Sequence, residues 1–230
     1  LKNSKGLALI SSMFISAGIL PFALMLEQNG FRRYAVEGEA KDLLRSEYKR
    51  QPICYLCGKE ARNNPEHFDK KLKGYHEYHT ARYVIVSGSA DTEMEIVKID
   101  TNKAVQKFSS PENKYGKEVK VFLGSSVIKE GLDFANIRQL FILDLWHNIS
   151  DHEQKIGRAV RFCSHVTLKP EERNVEIYQM ATSNINLDDD QCKFCETIDE
   201  RRYRKAELKD KKIKRVRNIL KRSAIDCVSY

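Results

Sequence analysis

Residues 154–161 read Q-K-I-G-R-A-V-R and carry side chains whose types and spacing suit chemistry on an anion. If this octet is helical, Gln154, Arg158 and Arg161 share one face, because they lie four and three residues apart. Two arginines aimed at one point repel each other unless an anion lies between them. Gly157 has no side chain to obstruct that face. A triphosphate is the natural anion for this arrangement, so the octet indicates nucleotide chemistry.

A second polar stretch precedes the octet by about 30 residues and reads S-S-V-I-K-E-G-L-D at residues 125–133. Serine hydroxyls and backbone N–H groups at a strand end suit phosphodiester groups, so we assign Ser125, Ser126 and Lys129 to nucleic-acid contact. Gly131 permits close approach of another backbone. Asp133 is placed to hold a ribose hydroxyl. A Gly-x-Asp alone is more often a structural turn, but its position before a strand and the octet favours the functional interpretation.

Ser11 and Ser12 follow an apolar run and allow two interpretations. Their hydroxyl groups suit phosphate contacts, and serines also commonly end strands for structural reasons. The sequence does not favour either interpretation, so both phosphate contact and a structural strand end remain open for Ser11 and Ser12.

Two C-x2-C pairs and a group of histidines suggest a metal site. Cys54, Cys57, His76 and His79 would form a tetrahedral zinc site that staples a polar segment. The eighteen residues between Cys57 and His76 exceed the usual finger spacing, and H-x2-H is short. Alternatives are a four-cysteine site that adds Cys192 and Cys195 (the second C-x2-C pair), or reduced thiols without metal.

The elements that must position these residues alternate between strand and helix patterns. Strands are predicted at residues 7–11, 83–86, 119–123, 140–143 and 175–180, and helices at 16–29, 92–108, 151–162 and 199–222. This order predicts an α/β fold with a parallel sheet covered by helices on both faces. Ligands of such sheets bind beyond the carboxyl ends of the strands, where Ser11 and Ser125 would lie.

Charge and composition divide the 230 residues further. We predict a domain over residues 1–185 with a polar, histidine-rich insertion at about 35–80, and an extension over 186–230. Of the net charge of +8, the 201–222 segment alone carries twelve Lys or Arg against Glu207 and Asp210, so the rest is slightly acidic. The long basic helix opens with a capping box at Thr197 and Glu200. It is either a docked helix with a solvated face or a contact for nucleic acid or an acidic partner.

The apolar region at residues 6–26 is broken by serines, Gly18 and Pro21. It lacks a basic n-region and an uninterrupted apolar span, so we expect a soluble, intracellular protein with no membrane partner. Because the chain opens with Leu1 in a strand pattern, we expect it to be a segment of a longer polypeptide.

The ordered motifs resemble those of superfamily 2 helicases. Residues 125–133 look like motif V, residues 154–161 like motif VI, and residues 5–14 with the following helix like motif IV. Their order and spacing imply the second of the two RecA-like domains of these motors, over roughly residues 1–185.

A narrower resemblance rests on R-F-C-S-H at 161–165, E-E-R-N-V at 171–175 and S-A-I-D-C at 223–227. These segments are similar to the helicase-like ATPases of large cytoplasmic DNA viruses. That group includes the poxvirus early transcription factor small subunit, nucleoside triphosphatase I and asfarvirus relatives, and the resemblance leads us to expect the helicase C-terminal domain of an asfarvirus member.

The resemblance implies an ATP site split between two domains. The phosphate-binding loop and the Asp-Glu motif that holds Mg²⁺ belong to the first RecA-like domain and are not found here, so the fragment alone is expected to be inactive. Arg161 and Arg158 would act as arginine fingers on the transferring phosphoryl group. Gln154 would orient the γ-phosphate or the attacking water, while Gly157, Gly131 and Asp133 would line the ATP site.

The implied partners are the N-terminal RecA-like domain, DNA or RNA, and viral RNA polymerase or transcription factor subunits. The implied location is the host cytoplasm and the virion. The rival hypothesis is a non-enzymatic module on a helicase fold that docks nucleic acid or RNA polymerase through helix 199–222.

Overall fold

A computed structural model describes residues 1–2, 4–35, 40–61, 64–87, 100–125, 132–144, 148–183 and 196–224. They contain a six-stranded sheet in the order β2-β3-β4-β1-β5-β6, in which all five neighbouring pairs are parallel. The strands are β1 Leu7–Ser11, β2 Arg32–Arg33, β3 Arg82–Val86, β4 Val121–Gly124, β5 Ile137–Ile142 and β6 Glu176–Gln179. The predicted parallel α/β fold is confirmed, and its sheet order is that of a RecA-like domain.

Helices cover both faces of the sheet. Successive side chains of a strand point to opposite faces, and both faces here carry apolar side chains that must be buried. In β1, Leu7 and Leu9 join one core cluster and Ala8 and Ile10 join the other. The first cluster is covered by α2 Thr101–Phe108 and α3 Ile149–Ala159, and the second by α1 Leu20–Gln28 with the π-helical turn Ile15–Ile19 before it.

Some predicted boundaries are corrected by the structure. Strand β5 begins at Ile137 rather than residue 140, and α3 ends at Ala159 rather than residue 162. The two-residue edge strand β2 was not predicted, because Arg32 and Arg33 carry no apolar pattern. The first part of the helix predicted at 92–108 lies outside the described residues.

The polar segment predicted as an insertion connects β2 to β3, two adjacent parallel strands at the sheet edge. Its Ile53 is buried in the core; the Ile53 N–H donates to Gly30 O at 3.1 Å, and Ala81 N–H donates to Ile53 O at 2.8 Å. The buried Glu27 carboxylate accepts the Tyr83 hydroxyl at 2.5 Å and the N–H of Leu43 at 2.8 Å. Burial, reinforced by this carboxylate, raises the pKa of Tyr83. These contacts anchor a mostly exposed segment to the sheet.

The C-terminal helix α4 Ile198–Ser223 begins with the predicted capping box, with both Thr197 and Glu200 bonds present. Its buried residue is Ala206, and residues 211–223 are exposed all round. Among the apolar side chains at helical spacing in α4, Ala206 is buried, whereas Ile213 and Val216 are more than half exposed, so burial supports the docked-helix alternative only for the first half of the helix. Within the described residues, no helix has the length and apolar character that crossing a membrane requires.

Candidate nucleotide-facing arginine site

Helix α3 presents the octet by burying one side and exposing the other. His152, Lys155 and Ala159, spaced three and four residues apart, form the buried side. Gln154 and Gly157 lie on the exposed side. A Cβ added at Gly157 would meet no atom within 4 Å, so the face around it is open.

Arg161 lies beyond the helix, in a turn that fixes its position. Its carbonyl oxygen accepts the Ser164 N–H at 3.1 Å and the Ser164 hydroxyl at 2.7 Å. Cys163 within this turn has a positive φ of 62°. The prediction that Gln154, Arg158 and Arg161 share one helical face is thus corrected, since α3 carries the first two and the turn carries the third.

The turn is itself docked on the start of β5. His165 Nε2 lies 2.6 Å from Ile137 O, and Asn136 N–H donates to Ser164 O at 2.9 Å. In the sequence, Ser164 and His165 contributed only to the family resemblance, and this positioning role was not predicted. The sequence feature that could have indicated this role is the pair of polar side chains three and four residues after the octet.

The two arginines converge on Asp133. Arg161 Nη1 pairs directly with Asp133 Oδ1, and Arg158 Nη1 lies 3.7 Å from the same oxygen and 3.3 Å from Leu132 O. The Asp133 side chain is 69% exposed, Arg161 53% and Arg158 27%. The anion that two arginines require is here supplied by the protein. Exposed ion pairs contribute about 0–1 kcal/mol, so a stronger anion can displace this carboxylate.

The predicted phosphate-binding serines lie at the carboxyl ends of β1 and β4, as expected, but are buried. Ser11 is 0% exposed, Ser12 1% and Ser125 5%. Ser12 Oγ is bonded locally, accepting from Phe14 N–H at 3.1 Å. Ser11 Oγ has no hydrogen-bond partner among the described residues. Their burial favours the strand-end interpretation of Ser11 and Ser12. Ser126, Lys129 and Gly131 lie outside the described residues.

Asp144 is a further polar group at this edge, and it was not predicted from the sequence. It follows β5, and its Oδ2 accepts the Met13 N–H at 2.6 Å, which ties the ends of β1 and β5 together. The carboxylate borders a cavity of about 310 Å³ that Ser12, Phe14 and Met25 also line. Its signal was an acidic residue directly after a predicted strand, where parallel sheets bind ligands.

The structure also gathers a cysteine and histidine cluster in the insertion, with one change of member. Ligand atoms of Cys54, Cys57, His67 and His76 all lie within 4.8 Å of one another. The predicted fourth member, His79, is instead 3.0 Å from Glu77 Oε2. His67 therefore replaces His79. The second C-x2-C pair, Cys192 and Cys195, lies outside the described residues.

A buried lysine supports the loop that carries the two cysteines. Lys120 is 0% exposed, and its Nζ donates to Tyr55 O, between Cys54 and Cys57, at 2.6 Å. Burial lowers the pKa of Lys120 to about 8. The amino group thus pins the loop to the residue directly before β4.

Relatives of this chain occur in large DNA viruses. "Putative ATP-dependent RNA helicase L377" of Acanthamoeba polyphaga mimivirus is 30% identical over 98% of this chain and 19% of its own length. "Termination factor NPH-I homolog" of African swine fever virus is 27% identical over 99% of this chain and 31% of its own length. "Early transcription factor large subunit homolog" of the same virus is 29% identical over 64% of this chain and 12% of its own length.

The chain thus spans about a fifth to a third of the relatives that match nearly all of it. The solved structure of the C-terminal part of the Fun30 ATPase domain matches 87% of this chain and 39% of that chain, with a TM-score of 0.48 and 14% identity. The family described as "Helicase conserved C-terminal domain" matches residues 40–163, which include most of the insertion, Asp133 and the octet. The chain belongs to this family of helicase C-terminal domains.

Proposed function

We propose that this chain is the C-terminal half of a nucleic-acid-dependent ATPase and completes an ATP site on a first RecA-like domain. The observation that carries the proposal is the convergence of Arg158 and Arg161 on the exposed carboxylate of Asp133. Two guanidinium groups held at one open point are suited to neutralise a transferring phosphoryl group.

In this proposal the nucleotide replaces Asp133 as the anion between the arginines. The ion pair is exposed and therefore weak, whereas a triphosphate carries several charges and suits the guanidinium fork. When its phosphate groups take over Arg161 and Arg158, the carboxylate of Asp133 is released to accept a hydrogen bond from a ribose hydroxyl. The turn at Ser164 and His165 holds the Arg161 backbone fixed during this exchange.

Other residues of the exposed face complete the proposed site. Gln154 is exposed one turn before Arg158 and would orient the γ-phosphate or the attacking water. The open space at Gly157 would admit the nucleotide or the facing domain. The nucleotide would be ATP with Mg²⁺, and the acidic ligands of Mg²⁺ would lie in the first domain. Arginines neutralise phosphate charge but do not bind metal ions. This fits a domain that contributes the arginines of the ATP site while the first domain contributes the Mg²⁺ ligands.

The basic helix α4 is proposed to contact the nucleic-acid track. Its residues 211–223 are exposed on all sides, and they include six Lys or Arg besides Lys214, which pairs with Asp210 at 2.6 Å. A phosphate backbone attracts such a helix without reading sequence. We also propose Ser126 and Lys129, which lie outside the described residues, as phosphate contacts, whereas the burial of Ser125 favours a strand-end role, as it does for Ser11 and Ser12.

For the parent protein we propose a role in transcription of a large DNA virus, in the host cytoplasm and the virion, together with viral RNA polymerase or transcription factor subunits. The support is the termination-factor and transcription-factor names of the African swine fever virus relatives.

The exposed helix α4 also favours a second candidate, a non-enzymatic docking module for nucleic acid or RNA polymerase. In that case the octet would be a surface feature, and the parent would not turn over ATP. Retention of both arginines and Asp133 in one constellation supports the ATPase instead.

The test compares nucleic-acid-stimulated ATP turnover of the parent protein with that of its Arg161→Ala variant. Loss of an arginine finger is expected to reduce turnover by on the order of 10³ or more, with nucleotide affinity largely kept. Lys169→Ala is the matched control, because Lys169 is an exposed cation a few residues beyond the turn and outside the octet.

Equal turnover of Arg161→Ala and Lys169→Ala would reject Arg161 as the finger. Absence of turnover in the unmutated parent, with nucleic-acid binding intact, would instead identify the docking module.

A further inference from the structure

We propose that the insertion binds one structural zinc ion through Cys54 Sγ, Cys57 Sγ, His67 Nε2 and His76 Nε2. These ligand atoms lie within 4.8 Å of one another. Cys54 Sγ is 3.3 Å from His76 Nε2, and Cys57 Sγ is 3.2 Å from His67 Nε2. Zinc bonds of about 2.3 Å to sulfur and 2.0–2.1 Å to nitrogen put tetrahedral sulfur and nitrogen ligands roughly 3.5 Å apart. The cluster is thus close to the size that zinc requires.

The backbone around the cysteines brings both thiols to one side of a tight loop. Cys54 N–H donates to Lys59 O at 2.9 Å, and Gly58 N–H donates back to Cys54 O at 3.0 Å. Gly58 has a φ of 69°, in the left-handed region that favours glycine, so the chain reverses directly after Cys57. Two ligands three positions apart are thereby presented together.

His76 is oriented for metal binding by its neighbours. His76 Nδ1 lies 2.9 Å from Gly74 O, so its N–H is used by that carbonyl and Nε2 keeps its lone pair. His76 N–H donates to Glu66 O at 3.1 Å, which holds His76 beside His67. Asn64 Nδ2 lies 3.5 Å from Cys57 Sγ, where it would donate to a zinc-bound thiolate. This outer ring of partners is a usual feature of metal sites.

The site fits a structural role because the part of the insertion between His67 and His76 has few apolar contacts of its own. Phe68, Leu72 and Tyr75 are all exposed, so the loop between His67 and His76 buries few apolar side chains. Four protein ligands leave no open position for substrate, which is typical of structural zinc. The ion would cross-link the long connection between β2 and β3. Parallel strands are usually connected by a helix at such a position.

Zinc is the metal that this donor set selects. Two thiolates with two neutral imidazoles in a tetrahedron suit Zn²⁺, whereas Mg²⁺ and Ca²⁺ require oxygen ligands and iron–sulfur clusters usually require four cysteines. The two thiolates balance the charge of the ion, so a neutral site forms in a partly buried position.

The first experiment measures metal in the full chain purified without added zinc, by mass spectrometry of the metal content. We expect about one equivalent of zinc per chain. Cys57→Ser and His67→Ala are expected to lose it, and the matched variant His79→Ala is expected to keep it, because His79 pairs with Glu77. A folded, metal-free chain would overturn the proposal. Loss in His79→Ala with retention in His67→Ala would overturn the ligand set.

A second measurement uses only the unmutated chain, so its result does not depend on whether a variant folds. Cobalt(II) is exchanged into the unmutated chain, and its absorption spectrum is recorded. Tetrahedral coordination with two thiolates predicts intense d–d bands in the visible and a sulfur-to-cobalt charge-transfer band in the near ultraviolet. Weak d–d bands without charge transfer would indicate oxygen ligands and would contradict the proposed site.

Discussion

The arginine site and the cysteine–histidine cluster differ in how far this chain satisfies its own polar groups. In the cluster, Cys54 and His67 are buried and each functional atom faces another potential ligand. In the arginine site, Arg161 and Asp133 are more than half exposed and held by an ion pair that water can reach. The first arrangement is complete within the domain, whereas the second leaves charge available to a partner.

Under the two proposals above, the closed cluster holds the domain together and the open arginine site acts on a ligand outside it. Closed ligand sets contribute to folding, and functional sites keep an open side. The geometry of the two sites therefore predicts separable effects of mutation on stability and on activity.

The largest expected difference is in the free energy of unfolding. Cys57→Ser would remove a zinc ligand and is expected to lower it by at least about 2 kcal/mol, because metal binding energy becomes folding energy. Asp133→Ala removes only an exposed ion pair and is expected to cost no more than about 1 kcal/mol. Denaturant unfolding at fixed free zinc measures both.

A chelator provides the control for this comparison. Zinc removal should bring the unmutated chain to the stability of Cys57→Ser and should leave that variant unchanged. If Asp133→Ala were as destabilising as Cys57→Ser, the contrast between a closed and an open site would be wrong.

A second, intermediate effect concerns α4, the other exposed charged region. Replacing Lys211, Lys212 and Arg215 with Gln is expected to weaken nucleic-acid binding and to reduce its salt slope by about 2 to 3, since each phosphate contact contributes roughly 0.7 to 0.9. The measurement is a binding titration at several salt concentrations.

The matched control removes the same charge from the insertion, by replacing the exposed Lys70, Lys71 and Lys73 with Gln. It should leave the slope nearly unchanged. Equal slopes for both triple variants would show that net charge, not α4, attracts the nucleic acid.

Periodic patterns made most of the fold predictable from sequence. Buried strands such as β1 and amphipathic helices such as α3 are recognisable, because burial selects apolar side chains in short runs or at every third and fourth position. The edge strand β2 could not be predicted, since two arginines pair with β3 through backbone groups alone.

The site was predictable in residue type but not in geometry. The octet and Asp133 were assigned to one ATP site, yet the exit of Arg161 from α3 depends on the docking of Ser164 and His165 on β5. Likewise, His67 replaces His79 as a member of the cluster because the backbone N–H of His76 donates to Glu66 O, which holds His76 beside His67. His76 in turn contacts Cys54, which lies 22 residues earlier in the chain. Such contacts are tertiary, so spacing along the chain does not determine them.

The smallest change in stability is expected at Gly157. A substitution there tests whether the exposed face of α3 only contacts solvent or also receives the nucleotide or the facing domain. Gly157→Ala adds a methyl group that meets no atom within 4 Å, so helix propensity should stabilise the domain by about 0.5–1 kcal/mol. If the nucleotide or the facing domain packs there, the same methyl costs about 1–3 kcal/mol in the closed state and lowers ATP turnover by roughly 5- to 150-fold. Asn102→Ala, on the exposed side of α2, is the control expected to leave turnover intact. Thermal unfolding of the domain and ATP turnover of the parent, measured on both variants, give the answer. A stabilised Gly157→Ala variant with full turnover would mean that this face stays open throughout the ATPase cycle, and the arginines would then have to reach the phosphate groups without close contact at α3.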